Sequence, residues 1–110
     1  MESRVDRTPN GSEPVLVVRG DLDLASAPAL RAAIIGAVEP GRDLTIDLSA
    51  VDLVDSTGIG CLIGALRRVR QAGGDVALRD PRPRVLDLLE LCGLDSVFTI
   101  VSTREVGDRP

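Results

Sequence analysis

The feature that most limits what this chain can become is a change of hydrophobic period that recurs along its length. Aliphatic runs at Val15–Val18, Leu44–Leu48, Val76–Leu78 and Val97–Val101 have strand character. Between them, apolar residues recur at helical spacing. Leu30, Ala33, Ile34, Ala37 and Val38 form the first stripe, and Ile59, Leu62, Ile63, Leu66 and Val69 the second. Val85, Leu88, Leu89 and Cys92 form the third. Pro40-Gly41, Gly73-Gly74 and Gly93 stop these helices, while Pro28 and Pro83 fit first turns, where no N–H is needed. The order (β)βαβαβαβ predicts an α/β fold, a mixed and mainly parallel sheet with crossover helices.

Several boundaries follow from the same pattern. Residues 1–12 read as a lead-in or edge strand near Arg4–Asp6, with Asn10-Gly11 as a hairpin turn. The unbroken run Val15–Val18 predicts a strand covered on both faces and ended by Gly20. The next strand continues loosely from Leu48 to Val51, and Ser49–Asp55 reads as a loop. One domain is expected over residues 13–101, followed by a polar tail at 102–110.

The side chains that are missing narrow the chemistry. The chain has no His and no Lys, and all 13 basic residues are Arg. Ser-His-Asp and Cys-His catalysis need an imidazole base, and no amine is present for a Schiff base or a phosphate cradle. Two separate Cys suit neither a zinc site nor a disulfide framework. No enzyme activity, metal or cofactor is expected. A net charge of −4 gives no general attraction to nucleic acid or anionic lipid. No apolar run approaches the ~20 residues of a membrane span, so a cytoplasmic location is expected.

Asp55-Ser56-Thr57-Gly58 stands where a strand-following loop enters the second helix. A helix start has unpaired N–H groups and the positive end of the macrodipole, so Asp55 or Ser56 serves as N-cap. Two adjacent hydroxyls exceed what a cap needs. Gly58 and Gly60 each weaken a first turn by about 1 kcal/mol relative to Ala. Small residues there leave backbone and hydroxyl open to an approaching surface. Asp52 and Asp55 make the loop acidic, without a basic residue of its own. Asp21 and Asp23 form a second acidic patch before the first helix, which Ser26 or Asp23 can cap. Cys61 is expected off the apolar stripe, where a first-turn thiol is a candidate for redox chemistry, and Cys92 is expected buried on its stripe.

Taken together, Gly20-Asp21-Leu22-Asp23, Leu44–Leu48, Asp55-Ser56-Thr57-Gly58-Ile59-Gly60 and Leu91-Cys92-Gly93-Leu94 with Val97-Phe98 resemble the STAS family of anti-sigma-factor antagonists. The resemblance spans about residues 13–101, with the motifs in the family's order. It implies phosphorylation of Ser56, with Thr57 as neighbouring hydroxyl, by an anti-sigma factor that is also a serine protein kinase. The unphosphorylated form would bind that partner and free a sigma factor. By the same resemblance, Asp21, Asp23, Asp55, Thr57, Gly58, Ile59 and Gly60 border the contact, and the chain is a monomer or weak dimer. A stressosome scaffold or an accessory domain of a transport system is the alternative in the same fold. A receiver domain would need a late Lys, which is absent.

Overall fold

The computed structural model describes residues 1–103. The strands are β1 (Glu2–Arg7), β2 (Pro14–Leu22), β3 (Leu44–Val54), β4 (Val76–Arg79) and β5 (Thr99–Val101). The helices are α1 (Ala27–Ala37), α2 (Ser56–Gln71) and α3 (Pro83–Leu91), and a short 3-10 turn covers Leu94–Ser96. All five strands lie in one sheet in chain order. β1 is antiparallel to β2 and every later neighbour is parallel. The α/β order and the mixed, mainly parallel sheet expected from periodicity are both present.

Chain-order strands have a geometric consequence. Each parallel connection steps one place in the same direction, so right-handed crossovers carry every helix to one face. The register agrees. Leu16 lies beside Ile46, Ile46 beside Leu78, and Leu78 beside Ile100. These residues share one core with Leu30, Ile34, Leu62, Val69, Val85 and Leu89 from the helices. The opposite face carries Val15, Val17, Thr45, Asp47, Ala77 and Arg79. The Val15–Val18 run is therefore not helix-covered on both sides. Val15 is buried outside the main core, and Val17 is half-buried.

Three boundaries differ from the sequence expectation. β2 does not stop at Gly20 but runs to Leu22, because Gly20 adopts φ +99° at a register irregularity against β3. β3 extends to Val54, so the expected Ser49–Asp55 loop shrinks to Asp55 alone before α2. The last strand begins at Thr99; Val97 closes the 3-10 turn, and Phe98 enters the core from it. The edge strand and hairpin at the start are present, with Gly11 at φ +75°. The Arg7 guanidinium pairs with Glu39 and ties β1 to the chain just beyond α1. Of the expected tail, residues beyond Thr103 lie outside the described residues. Among those described, no helix is long and apolar enough to cross a membrane.

The middle of the open face is held by a largely buried ion pair. Asp47, 6% exposed, accepts from Arg79 Nε at 2.7 Å across β3 and β4. Its other oxygen accepts from the Ser49 hydroxyl at 2.6 Å and the Ser49 amide at 2.9 Å. Burial pushes the Asp47 carboxyl up, but these donors outweigh it and hold its pKa below the ordinary value. A depressed native pKa stabilises the fold above the unfolded aspartate range, and that stability is lost as pH falls through the native pKa. Asp47→Ala is expected to cost about 1–2 kcal/mol at pH 7, since Arg79 is partly screened by solvent. Urea unfolding at falling pH checks this: the gap between wild type and variant should narrow as Asp47 protonates.

Candidate functional site

The site begins at a join between β2 and α2. The Asp55 N–H donates to the Leu22 carbonyl at 3.1 Å, which fixes the end of β3 to the end of β2. The Asp55 carboxylate accepts from the Gly58 N–H at 3.0 Å, and its carbonyl accepts from Ile59 N–H at 2.9 Å. Asp55, and not Ser56, is thus the N-cap of α2. A Cβ on Gly58 would lie 2.3 Å from the Leu22 carbonyl oxygen, well inside contact distance. Gly58 is buried and serves the close approach of helix to strand, where the sequence suggested an opening for a partner. Gly60 is different: a Cβ there would meet nothing within 4 Å.

This join leaves Ser56 at the first position of α2, exposed, with its hydroxyl free of hydrogen bonds among the described residues. Thr57 and Ile59 are half-buried, and Gly60 is exposed. Next to them, the chain between β2 and α1 is a closed turn. Ser26 Oγ donates to the Asp21 carbonyl at 2.8 Å and accepts from the Asp23 N–H at 2.9 Å. The Ser26 N–H donates to the Asp23 carboxylate at 3.0 Å. Neither side chain caps α1 in the expected way: Ser26 occupies the cap position, but its hydroxyl is spent on the turn. Asp23 is half-buried with one oxygen engaged, which leaves Asp21 as the more open carboxylate.

Two charges and two thiols differ from the sequence reading. Asp52 is exposed on β3 and pairs with Arg82, which also donates to the Ser49 carbonyl at 2.7 Å. The acidic loop thus has a basic partner supplied by the β4–α3 connection, 30 positions away in the chain. Cys61 is buried, 7% exposed, and Cys92 is exposed, the reverse of expectation. The buried stripe of α2 runs through Gly58, Cys61, Leu62, Ala65, Leu66 and Val69, and Ile59 and Ile63 lie at its margin. Its small residues pack closely but do not stand out by hydropathy. α3 ends at Leu91, and Gly93 at φ +72° turns the chain, so Leu94 and Phe98 fill the place expected for Cys92. Oxidant chemistry at Cys61 loses the exposure that motivated it.

The structure adds two residues that periodicity passed over. Leu24, 74% exposed, projects from the turn beside Asp23, and Leu53 is also exposed near the end of β3. Single exposed leucines in loops carry no sequence signal. With Asp21, Asp55 and Ser56 they gather at the C-terminal end of the parallel strands, where β2 and β3 converge at the pair Leu22 and Val54.

A one-sided βα domain with a free hydroxyl at a helix start, and apolar and acidic residues around it, has the character of a protein-docking module. The family model described as "Mlab, STAS domain" matches residues 5–102, and the chain belongs to the STAS-domain family. It is 33% identical over 107 residues to the anti-sigma-B factor antagonist of Bacillus subtilis (strain 168), covering 97% of this chain and 98% of that protein. The crystal structure of an anti-sigma factor antagonist from Mycobacterium paratuberculosis superposes with a TM-score of 0.76 at 29% identity, covering 97% of this chain and 88% of that one. The anti-sigma factor antagonist SpoIIAA in its unphosphorylated form shares the fold, with a TM-score of 0.72 at 23% identity over 94% of this chain and 90% of that one.

The two helix-start glycines should respond oppositely to alanine. Gly58→Ala forces α2 away from β2 and is expected to lose about 1–3 kcal/mol. Gly60→Ala meets no neighbour and should gain up to about 1 kcal/mol of helix stability. Paired urea denaturation curves measure both.

Proposed function

We infer that this chain is an anti-sigma factor antagonist: it binds an anti-sigma factor, so that a sigma factor is released for transcription, and phosphorylation of Ser56 ends that binding. The observation that carries the reading is the exposed, unbonded hydroxyl of Ser56 at the first residue of α2. Its neighbours are already committed, Asp55 to the cap and Asp23 to the turn, and of the two unbonded hydroxyls here Ser56 is exposed while Thr57 is half-buried. Similarity to the Bacillus subtilis anti-sigma-B factor antagonist along nearly the whole chain supports the same partner class. Asp21, Thr57, Ile59, Gly60, Leu24 and Leu53 would border the contact, with Asp23, Asp55 and Gly58 holding its shape. A role by binding alone suits a chain without His or Lys.

The switch needs no large movement. A phosphate adds about −1.5 to −2 charges at one point. At ~8 Å and an effective dielectric near 20, two unit charges repel by about 2 kcal/mol before screening, more than tenfold in affinity. Asp52 contributes less to this field than its sequence position suggests, because Arg82 neutralises it. The repulsion falls on whatever acidic surface the partner brings to α2.

The test is incubation with ATP and an anti-sigma factor kinase that binds this protein in a pull-down, followed by peptide mass mapping and binding titrations. Label is expected on Ser56 and absent from Ser56→Ala. Ser56→Ala should keep its affinity for that kinase, and the phosphorylated protein should bind at least tenfold more weakly. Label elsewhere, or equal affinity before and after phosphorylation, would overturn the reading. Stable capture by a transporter or a multi-protein scaffold without sigma-factor release would favour the alternative role.

A further inference from the structure

We propose that the groove between α1 and α2 is a docking site for a protein segment that carries two carboxylates flanking an apolar side chain. The proposal rests on the reading above only in that the chain acts by binding a protein. The groove has a volume of about 350 Å³ and begins beside Thr57, next to the Ser56 site. Arg31 and Arg68 line it, as does Ile35, which is 53% exposed. Gly60 and Gly64 form part of the α2 wall.

Three observations define the occupant. Charge comes first. Arg4, Arg7, Arg70, Arg79 and Arg82 each have a carboxylate partner, whereas Arg19, Arg31, Arg42, Arg67, Arg68 and Arg84 have none among the described residues; of these six, Arg31 and Arg68 come together in one groove that no acidic side chain lines. In a chain of net charge −4, this groove is a local reversal of sign. Shape comes second. A Cβ at Gly60 or Gly64 would meet nothing within 4 Å, so no packing inside the domain requires glycine there. Two exposed helical glycines weaken α2, and what they provide is a bare wall that another backbone can approach closely. Spacing comes third. Both helices start at the adjoining ends of β2 and β3 and run back along the sheet, so Arg31 lies one turn in and Arg68 three turns in. Counted from the helix starts, Arg31 and Arg68 differ by eight residues, about 12 Å of helical rise, and Ile35 falls midway. Carboxylates about eight residues apart on a helix, or about four on an extended segment, match that interval.

A polyanion such as nucleic acid is a poorer occupant, because only two guanidiniums face it and the rest of the surface is net acidic. The same arrangement complements the switch. Arg31 shares the groove with Thr57, so a dianion at Ser56 would compete with the incoming carboxylate for that guanidinium.

The test pans a library of random 16-residue peptides on the immobilised, unphosphorylated protein. Enriched peptides should show acidic–apolar–acidic patterns and shift the amide resonances of Gly60 and Gly64. They should bind the R31E/R68E variant at least tenfold more weakly, while R42E/R84E, which alters arginines outside the groove, binds as wild type. Both altered side chains in the groove are exposed, and an unchanged thermal unfolding curve verifies the fold of the variant. No enrichment, enrichment without acidic bias, or equal binding to R31E/R68E would overturn the proposal. Self-association lost in R31E/R68E would replace the partner segment with a second copy, and would also overturn it. No kinase enters this assay, so failure of Ser56 phosphorylation leaves its result intact, and a failed panning leaves the phosphorylation test intact.

Discussion

The rest of the structure depends on how closely α2 meets β2. The Leu22 carbonyl receives the Asp55 N–H, and Gly58 passes so near the same oxygen that a methyl group has no room. Two loops distant in sequence are thereby held side by side by backbone contacts. The capping carboxylate of Asp55 and the hydroxyl of Ser26 satisfy the backbone groups exposed by this crowding. The end of the domain that displays Ser56 is therefore tied at several backbone atoms, and the Ser56 hydroxyl is outside this network. Stability and presentation come from the same few atoms.

Much of this was legible in the chain itself. Aliphatic runs and helical stripes are large, repeated signals, and proline and glycine punctuate them, so element order and sheet type follow from local chemistry. What periodicity did not reach depends on distant partners. β3 extends past Leu48 because β2 continues beside it through the irregularity at Gly20, a pairing that cannot be seen from Ser49–Val54 alone. Arg82 reaches Asp52 only because β3 and β4 are neighbours. The cysteines exchanged places because α2 packs on small residues and α3 stops one residue short of Cys92. At the site, the residue types and their positions were readable, while the division of labour among them was not. Gly58 packs and Gly60 stands open, though the two are alike in sequence terms.

The sheet also divides the molecule into unlike halves. One face is closed by three helices over a largely aliphatic core, and the other mixes Val15, Val17 and Ala77 with polar residues organised by Asp47 and Arg79. A single buried carboxylate with three donors is a high-stakes arrangement: satisfied, it orders the middle of the sheet, and unsatisfied, it opposes folding. The candidate docking features, by contrast, gather at the strand ends and along the outer seam of the helices. The buried carboxylate that orders the middle of the sheet thus lies apart from the displayed groups, while the join of Leu22, Asp55 and Gly58 serves folding and display together.

The sequential strand order has one more consequence, at the margins of the sheet. The two unpaired borders are β1 and β5, the first and last strands. β1 carries Glu2, Arg4, Asp6 and Arg7 and is exposed along its length, and β5 is three residues long. A neighbouring polypeptide that tried to zip onto either border would find alternating charges at one and almost no ladder at the other. Both borders of this aliphatic-rich domain therefore oppose edge-to-edge pairing of its own backbone, the first step of fibril growth.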